Sequence, residues 1–106
     1  TMATAESCTG GYIAHLITSL HGSSQWYMGT VVSYANGVKT KVLGVPATIL
    51  ETAGAVSAPV VEQMVRGVLE QTGAEVAVGV SGIMGPGGGT ADKPVGTVWV
   101  AVGNIN

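Results

Sequence analysis

Apolar residues recur along this chain with two periods. After Gly11 they fall at Tyr12, Ile13, Leu16, Ile17 and Leu20, the spacing of one helix face. Val60, Val61, Met64, Val65, Val68 and Leu69 repeat that spacing. Ser57 stands as N-cap of this second helix, Pro59 suits its first turn and Gly73 its C-cap. A shorter helix is predicted over residues 46–53, closed by Gly54, and a turn or two over 37–43. Short apolar runs predict strands over 2–6, 30–35, 76–80 and 98–102. The last two show almost no polar alternation, which predicts strands covered on both faces. Strands interleaved with helices predict an α/β domain, built as a three-layer α/β/α sandwich. Residues 82–96 fit neither period and are rich in glycine.

Composition narrows the class. The 106 residues suit one domain. Charged residues make up 9% and hydrophobic ones 46%, against roughly 25% charged in an average domain, so disorder is excluded. No apolar run reaches the ~18 residues of a membrane helix. A net charge of −2 is a poor match for a nucleic-acid backbone. Cys8 is the lone cysteine and has no internal disulfide partner. The first residues carry Glu6 and no basic stretch, unlike a signal peptide, which points to the cytoplasm. So few charges on so small a domain predict that part of its surface is covered by something outside the chain. We therefore expect a fragment of a longer, self-associating protein.

Three places hold chemistry. In Glu6-Ser7-Cys8-Thr9-Gly10-Gly11 a strand ends and a helix starts, so a hydroxyl sits among free backbone N–H groups able to hold an oxyanion. Ser7 is a candidate nucleophile there; the commoner role of Ser7 or Thr9 is to cap the helix. Cys8 competes, because a helix N-terminus favours thiolate, but a lone cysteine more often packs as a small hydrophobe. His15 and His21 have no route to Ser7, and Asp92 is the one aspartate, so no Ser-His-Asp set is visible. Lysine remains. Lys39 follows the strand that bears Tyr34, and burial would lower its pKa enough to make a base, although most lysines are solvated. The third place is Ser81-Gly82-Ile83-Met84-Gly85-Pro86-Gly87-Gly88-Gly89, whose N–H groups can converge on a phosphate or carboxylate, with Lys93 as a nearby point charge. It is neither a P-loop nor a dinucleotide fingerprint. A flexible connection is the plainer reading. No metal-ligand cluster is visible, and no cofactor is expected.

Taken in order, Thr4-Ala5-Glu6-Ser7-Cys8-Thr9-Gly10-Gly11, Gly22-Ser23-Ser24, Gly54-Ala55-Val56-Ser57, the glycine loop and Lys93-Pro94-Val95-Gly96-Thr97-Val98 are far more specific than any one of them. Together they resemble the CinA C-terminal domain family, whose enzymes are bacterial nicotinamide mononucleotide deamidases. The resemblance implies a serine amidohydrolase with Ser7 as nucleophile and Lys39 as base. Backbone N–H groups at Cys8, Thr9, Gly10 and Gly11 would hold the oxyanion. Tyr34, Ser81, Gly82, Gly85, Gly87, Gly88 and Gly89 would bind substrate, a small pyridine nucleotide, with no nucleic acid, membrane or metal involved. Gly37 and Met84 depart from the family pattern without touching the proposed pair. The resemblance also implies a mixed, mostly parallel sheet of five strands and a homo-oligomer. Family members carry a helix before the first strand and an arginine-bearing segment after the last, and neither is in this chain. Two other readings follow from the same resemblance: a nucleotide-binding or regulatory domain without turnover, and an interaction module linked to competence or DNA damage.

Overall fold

The computed structural model describes residues 1–105. The elements run β1 (Met2–Glu6), α1 (Tyr12–Thr18), a single 3-10 turn (Ser23–Gln25), β2 (Tyr27–Val32), α2 (Asn36–Leu43), α3 (Ala47–Ala53), α4 (Ala58–Thr72), β3 (Val76–Gly82) and β4 (Val98–Asn104). The α/β class expected from the interleaved pattern is the observed one.

Helix α4 organises the core. Its predicted stripe of Val60, Val61, Met64, Val65 and Val68 is buried, and its C-cap Gly73 takes the left-handed conformation. Burying each such side chain contributes about 1.5–3 kcal/mol. Ser57 occupies the N-cap position, but its hydroxyl donates to the Gly54 carbonyl at 2.7 Å instead of capping. The sheet meets this helix with small residues: Ala3, Ala5 and Ala77 are each 0% exposed. Helix α2 crosses α4 so closely that a Cβ on Gly67 would stand 2.0 Å from the Leu43 carbonyl oxygen.

The sheet has the order β2-β1-β3-β4, with β1 parallel to both neighbours and β4 antiparallel to β3. It is mixed and mostly parallel as expected, but it has four strands among the described residues rather than five. Alternate residues of a strand face opposite ways. Ala3 and Ala5 face α4, while Glu6 faces the other way and takes bonds from the backbone of α1. Helix α1 therefore forms the third layer, over β1 and β2. That layer is thin: Ile17 is its buried residue, while Tyr12, Leu16 and Leu20 of the predicted stripe are exposed.

Two strands differ from expectation. Strand β2 spans Tyr27–Val32, not 30–35, because it pairs with β1 from Tyr27 onward and then leaves the ladder. The Ser33 and Tyr34 carbonyls turn instead toward Lys39. Strand β4 is not covered on both faces. It is the sheet's edge, and Val98, Val100 and Val102 on its outer face are 45%, 58% and 70% exposed.

The connection after β1 builds one face of the sheet, and the connections after β2 build the other. β1 is thus the point where the winding reverses, and the crevice beyond its carboxyl end is where such sheets hold ligands. Ser7 is the first residue past that end.

Candidate active site

Three carboxyl ends meet at this edge: Ser7 after β1, Ser33 and Tyr34 after β2, and Ser81 near the end of β3. Lys39 arrives from α2. Val38 and Val42 of that helix are each 37% exposed, whereas Lys39 is 1% exposed and shares the inner face with Leu43. The helix is turned so that its amine, not its valines, enters the fold.

The Lys39 amine has three oxygen partners. Nζ lies 2.8 Å from Ser7 Oγ, 2.7 Å from the Ser33 carbonyl and 2.9 Å from the Tyr34 carbonyl. Burial lowers its pKa below the ordinary lysine value; a thiolate at Cys8 would act in the opposite sense. Among the described residues no carboxylate is bonded to it. Glu6, the acid next to Ser7, is fully buried but faces α1. Its Oε1 accepts from Thr9 Oγ1 at 2.6 Å and Ile13 N–H at 3.0 Å, and its Oε2 from Ala14 N–H at 2.8 Å and Thr4 Oγ1 at 3.2 Å. Glu6 thereby satisfies the open N–H groups at the start of α1 and ties both sides of the Ser7–Gly11 turn together.

Within that turn the N–H groups have different fates. Gly10 N–H is spent on the Ser7 carbonyl at 3.0 Å. Those of Cys8 and Thr9 lie near the Cys8 sulfur and pull against the burial that raises the thiol's pKa. Cys8 lines the same pocket as Ser7, closer to the chemistry than a merely packing cysteine would be.

The pocket is a cleft of about 330 Å³. It is lined by the buried Ser7 and Lys39 with Cys8, by Tyr34 and Asn36, and by Ser81 through Gly85 with Gly87 and Gly88. Tyr34 stands at the rim, 75% exposed. The structure thus brings together Ser7, Lys39, Cys8, Tyr34, Ser81, Gly82, Gly85, Gly87 and Gly88. Thr9, Gly10, Gly11 and Gly89 do not line the cleft; Gly89 packs against Val95. Lys93, expected as a point charge beside the loop, does not line the cleft; its Nζ donates to the Ala53 carbonyl at 2.6 Å. His15 and His21 are exposed, as expected. Asn36, Ala55, Val56, Ile83 and Met84 also line the cleft, and no role follows for them from the sequence. The signal was present in the Gly54-Ala55-Val56-Ser57 motif, but nothing local says that it borders Ser7. Among the described residues no His/Cys/Asp/Glu group could hold a metal ion, and no helix is long and apolar enough to cross a membrane.

A buried amine bonded to a hydroxyl thus lies at the winding reversal of the α/β sheet, in a cleft bordered by the glycine loop. Comparison with known proteins is specific. The chain belongs to the CinA C-terminal domain family, whose model matches residues 1–106. It is 54% identical over 103 residues to a Pseudomonas putida protein named nicotinamide-nucleotide amidohydrolase PncC, covering 97% of this chain and 64% of that one. It is 60% identical over 99 residues to a CinA-like protein of Akkermansia muciniphila, covering 93% of this chain and 24% of that one. The crystal structure of a competence/damage inducible protein from Agrobacterium tumefaciens superposes with a TM-score of 0.97 at 47% identity, over 99% of this chain and 64% of that one. The chain therefore spans about a quarter of the CinA-like relative and under two thirds of the other two.

Proposed function

We propose that the protein carrying this chain hydrolyses the carboxamide of nicotinamide mononucleotide, giving nicotinate mononucleotide and ammonia, with Ser7 as nucleophile and Lys39 as base. The observation that carries this reading is the set of three contacts at Lys39 Nζ. A neutral amine has two N–H bonds and one lone pair. The Ser33 and Tyr34 carbonyls can only accept, so they take the two N–H bonds. The lone pair is then left facing Ser7 Oγ, whose proton it can receive. Burial without a carboxylate partner favours that neutral form.

Ser7 attacks the amide carbon and its proton passes to Lys39. The resulting ammonium can donate to all three oxygens, and it then passes its proton to the amide nitrogen as the C–N bond breaks, so that ammonia leaves and Lys39 is neutral again; water, its proton taken by Lys39, hydrolyses the acyl-enzyme and frees Ser7. The N–H group of Cys8, which lines the cleft, is the oxyanion donor, with Gly10 already engaged by Ser7. Tyr34 at the rim offers a face to the pyridine ring. The N–H groups of Gly85, Gly87 and Gly88 donate to no other part of the described chain, so they are free for a phosphate. The relative named as a nicotinamide-nucleotide amidohydrolase supports the substrate class.

The test is ammonia release by the full-length protein from nicotinamide mononucleotide and from free nicotinamide. Nicotinamide mononucleotide should be strongly preferred, because remote phosphate binding can be used at the amide. Ser7→Ala and Lys39→Ala should each abolish turnover with the fold intact. Equal kcat/KM for the two compounds, or an active Ser7→Ala, would overturn the reading.

A further inference from the structure

The loop joining β3 to β4 forms one wall of the cleft, yet it has few ties to the rest of the fold. Its base is closed by Ile83 N–H to the Thr97 carbonyl at 2.9 Å and by Gly96 N–H to the Ile83 carbonyl at 2.7 Å. Farther out, Thr90 and Lys93 bond one another across a turn, at 2.9 Å and 3.0 Å. Among the described residues a single hydrogen bond links the loop to the helical layer. It runs from Lys93 Nζ to the carbonyl of Ala53, the last residue of α3, at 2.6 Å. A cation at a helix C-terminus is favoured by the partial negative charge there.

The bond is placed to control the loop. Two residues past Lys93, Val95 is the post around which the loop wraps. A Cβ on Gly85 would stand 2.6 Å from Val95 Cγ1, and one on Gly89 2.7 Å from the Val95 backbone nitrogen. Gly85 therefore sits where Val95 lets it sit, and Gly87 and Gly88 follow. On the other side, Ala53 leads through Gly54 to Ala55 and Val56, which line the same cleft. One hydrogen bond thus joins two chain segments that both border the cleft.

We propose that Lys93 is a positioning residue that clamps the glycine loop to the end of α3, fixing the loop's N–H groups over the cleft without itself touching the substrate. This rests on the reading of the cleft as a phosphorylated-amide site. The clamp itself exists without substrate, so it can be tested apart from turnover.

The experiment compares wild type, Lys93→Met and Lys93→Arg in the full-length protein. Hydrogen exchange at the hydrogen-bonded loop amides Ile83, Thr90 and Gly96 should rise about tenfold without ligand in Lys93→Met, the effect of losing one charged hydrogen bond, while β1 and α4 stay protected. Lys93→Arg, which keeps a donor, should recover most of the protection. With nicotinamide mononucleotide, KM should rise by a similar factor and kcat should stay within about threefold, as expected for loss of uniform binding. Unchanged exchange in Lys93→Met overturns the clamp; if KM still rises in that case, Lys93 is a direct ligand instead. A fall in kcat with KM unchanged also overturns it. If wild type releases no ammonia, the functional reading fails, and the exchange data alone decide whether the clamp exists.

Discussion

Replacing Glu6 by glutamine tests how the Ser7–Gly11 turn is held. The carboxylate is fully buried and accepts four hydrogen bonds, two at each oxygen. Glutamine keeps the shape but turns one oxygen into an NH2 donor. The Thr4 and Thr9 hydroxyls can rotate and become acceptors. The Ile13 and Ala14 N–H groups cannot. Because the two N–H groups bond to different oxygens, either amide orientation leaves one of them unmet and facing another donor. An unsatisfied buried N–H costs about 1–3 kcal/mol, and the surviving bond weakens as its acceptor loses charge. We expect Glu6→Gln to destabilise the fold by about 2–4 kcal/mol. Urea unfolding, followed by the fluorescence of Trp26 and Trp99, should show a lowered midpoint at unchanged slope. Combining it with Thr9→Ala should cost less than the sum of the two, since they share a bond. A loss below about 0.5 kcal/mol, within the ordinary range for surface changes, would refute the account of Glu6 as the brace of this turn.

Other consequences follow from the same contacts. Because burial lowers the Lys39 pKa, the unfolded chain binds the extra proton, so stability should rise with pH between the lowered folded value and ~10.4. Lys39→Met should remove that slope in denaturation measured across pH, and kcat/KM of the wild type should rise with pH through the lowered value. Cys8→Ala should keep most turnover, because the thiol is held protonated by burial; loss of activity in an ammonia assay would reassign the nucleophile. Gly67→Ala should destabilise by about 1–3 kcal/mol in the same urea assay, since its methyl would collide with the Leu43 carbonyl and push α2 away from α4.

The sequence makes α4 legible because three independent signals coincide there: a sustained stripe, Pro59 in the first turn and Gly73 at the end. β1 and β3 are legible as short apolar runs. β2 is not, because Gly29 interrupts its first half and Ser33-Tyr34 look like strand while their carbonyls serve Lys39. Ser7 and Lys39 can be named from their neighbourhoods and the family resemblance. The inward turn of α2 cannot, since its local pattern would bury Val38 and Val42 instead. Lys93 shows the same limit: a lysine near a glycine loop looks like an anion ligand until a carbonyl forty positions earlier in the chain proves to be its partner.

The central place of β1 also governs when the site can exist. β1 is completed by β3, far along the chain from it, pairing Met2 with Val76 through to Glu6 with Val80. Ser7 N–H itself closes onto the Val80 carbonyl at 3.1 Å. A chain growing from its N-terminus carries Ser7 and Lys39 long before it holds the strand that anchors them. Such long-range parallel closure is slow, and its loop entropy is met before any contact rewards it. The contact between Ser7 and Lys39 is therefore assembled late and all at once. Protection of the β1 amides during refolding should appear together with burial of Lys39, so the cleft reports on completion of the fold rather than on any early part of it.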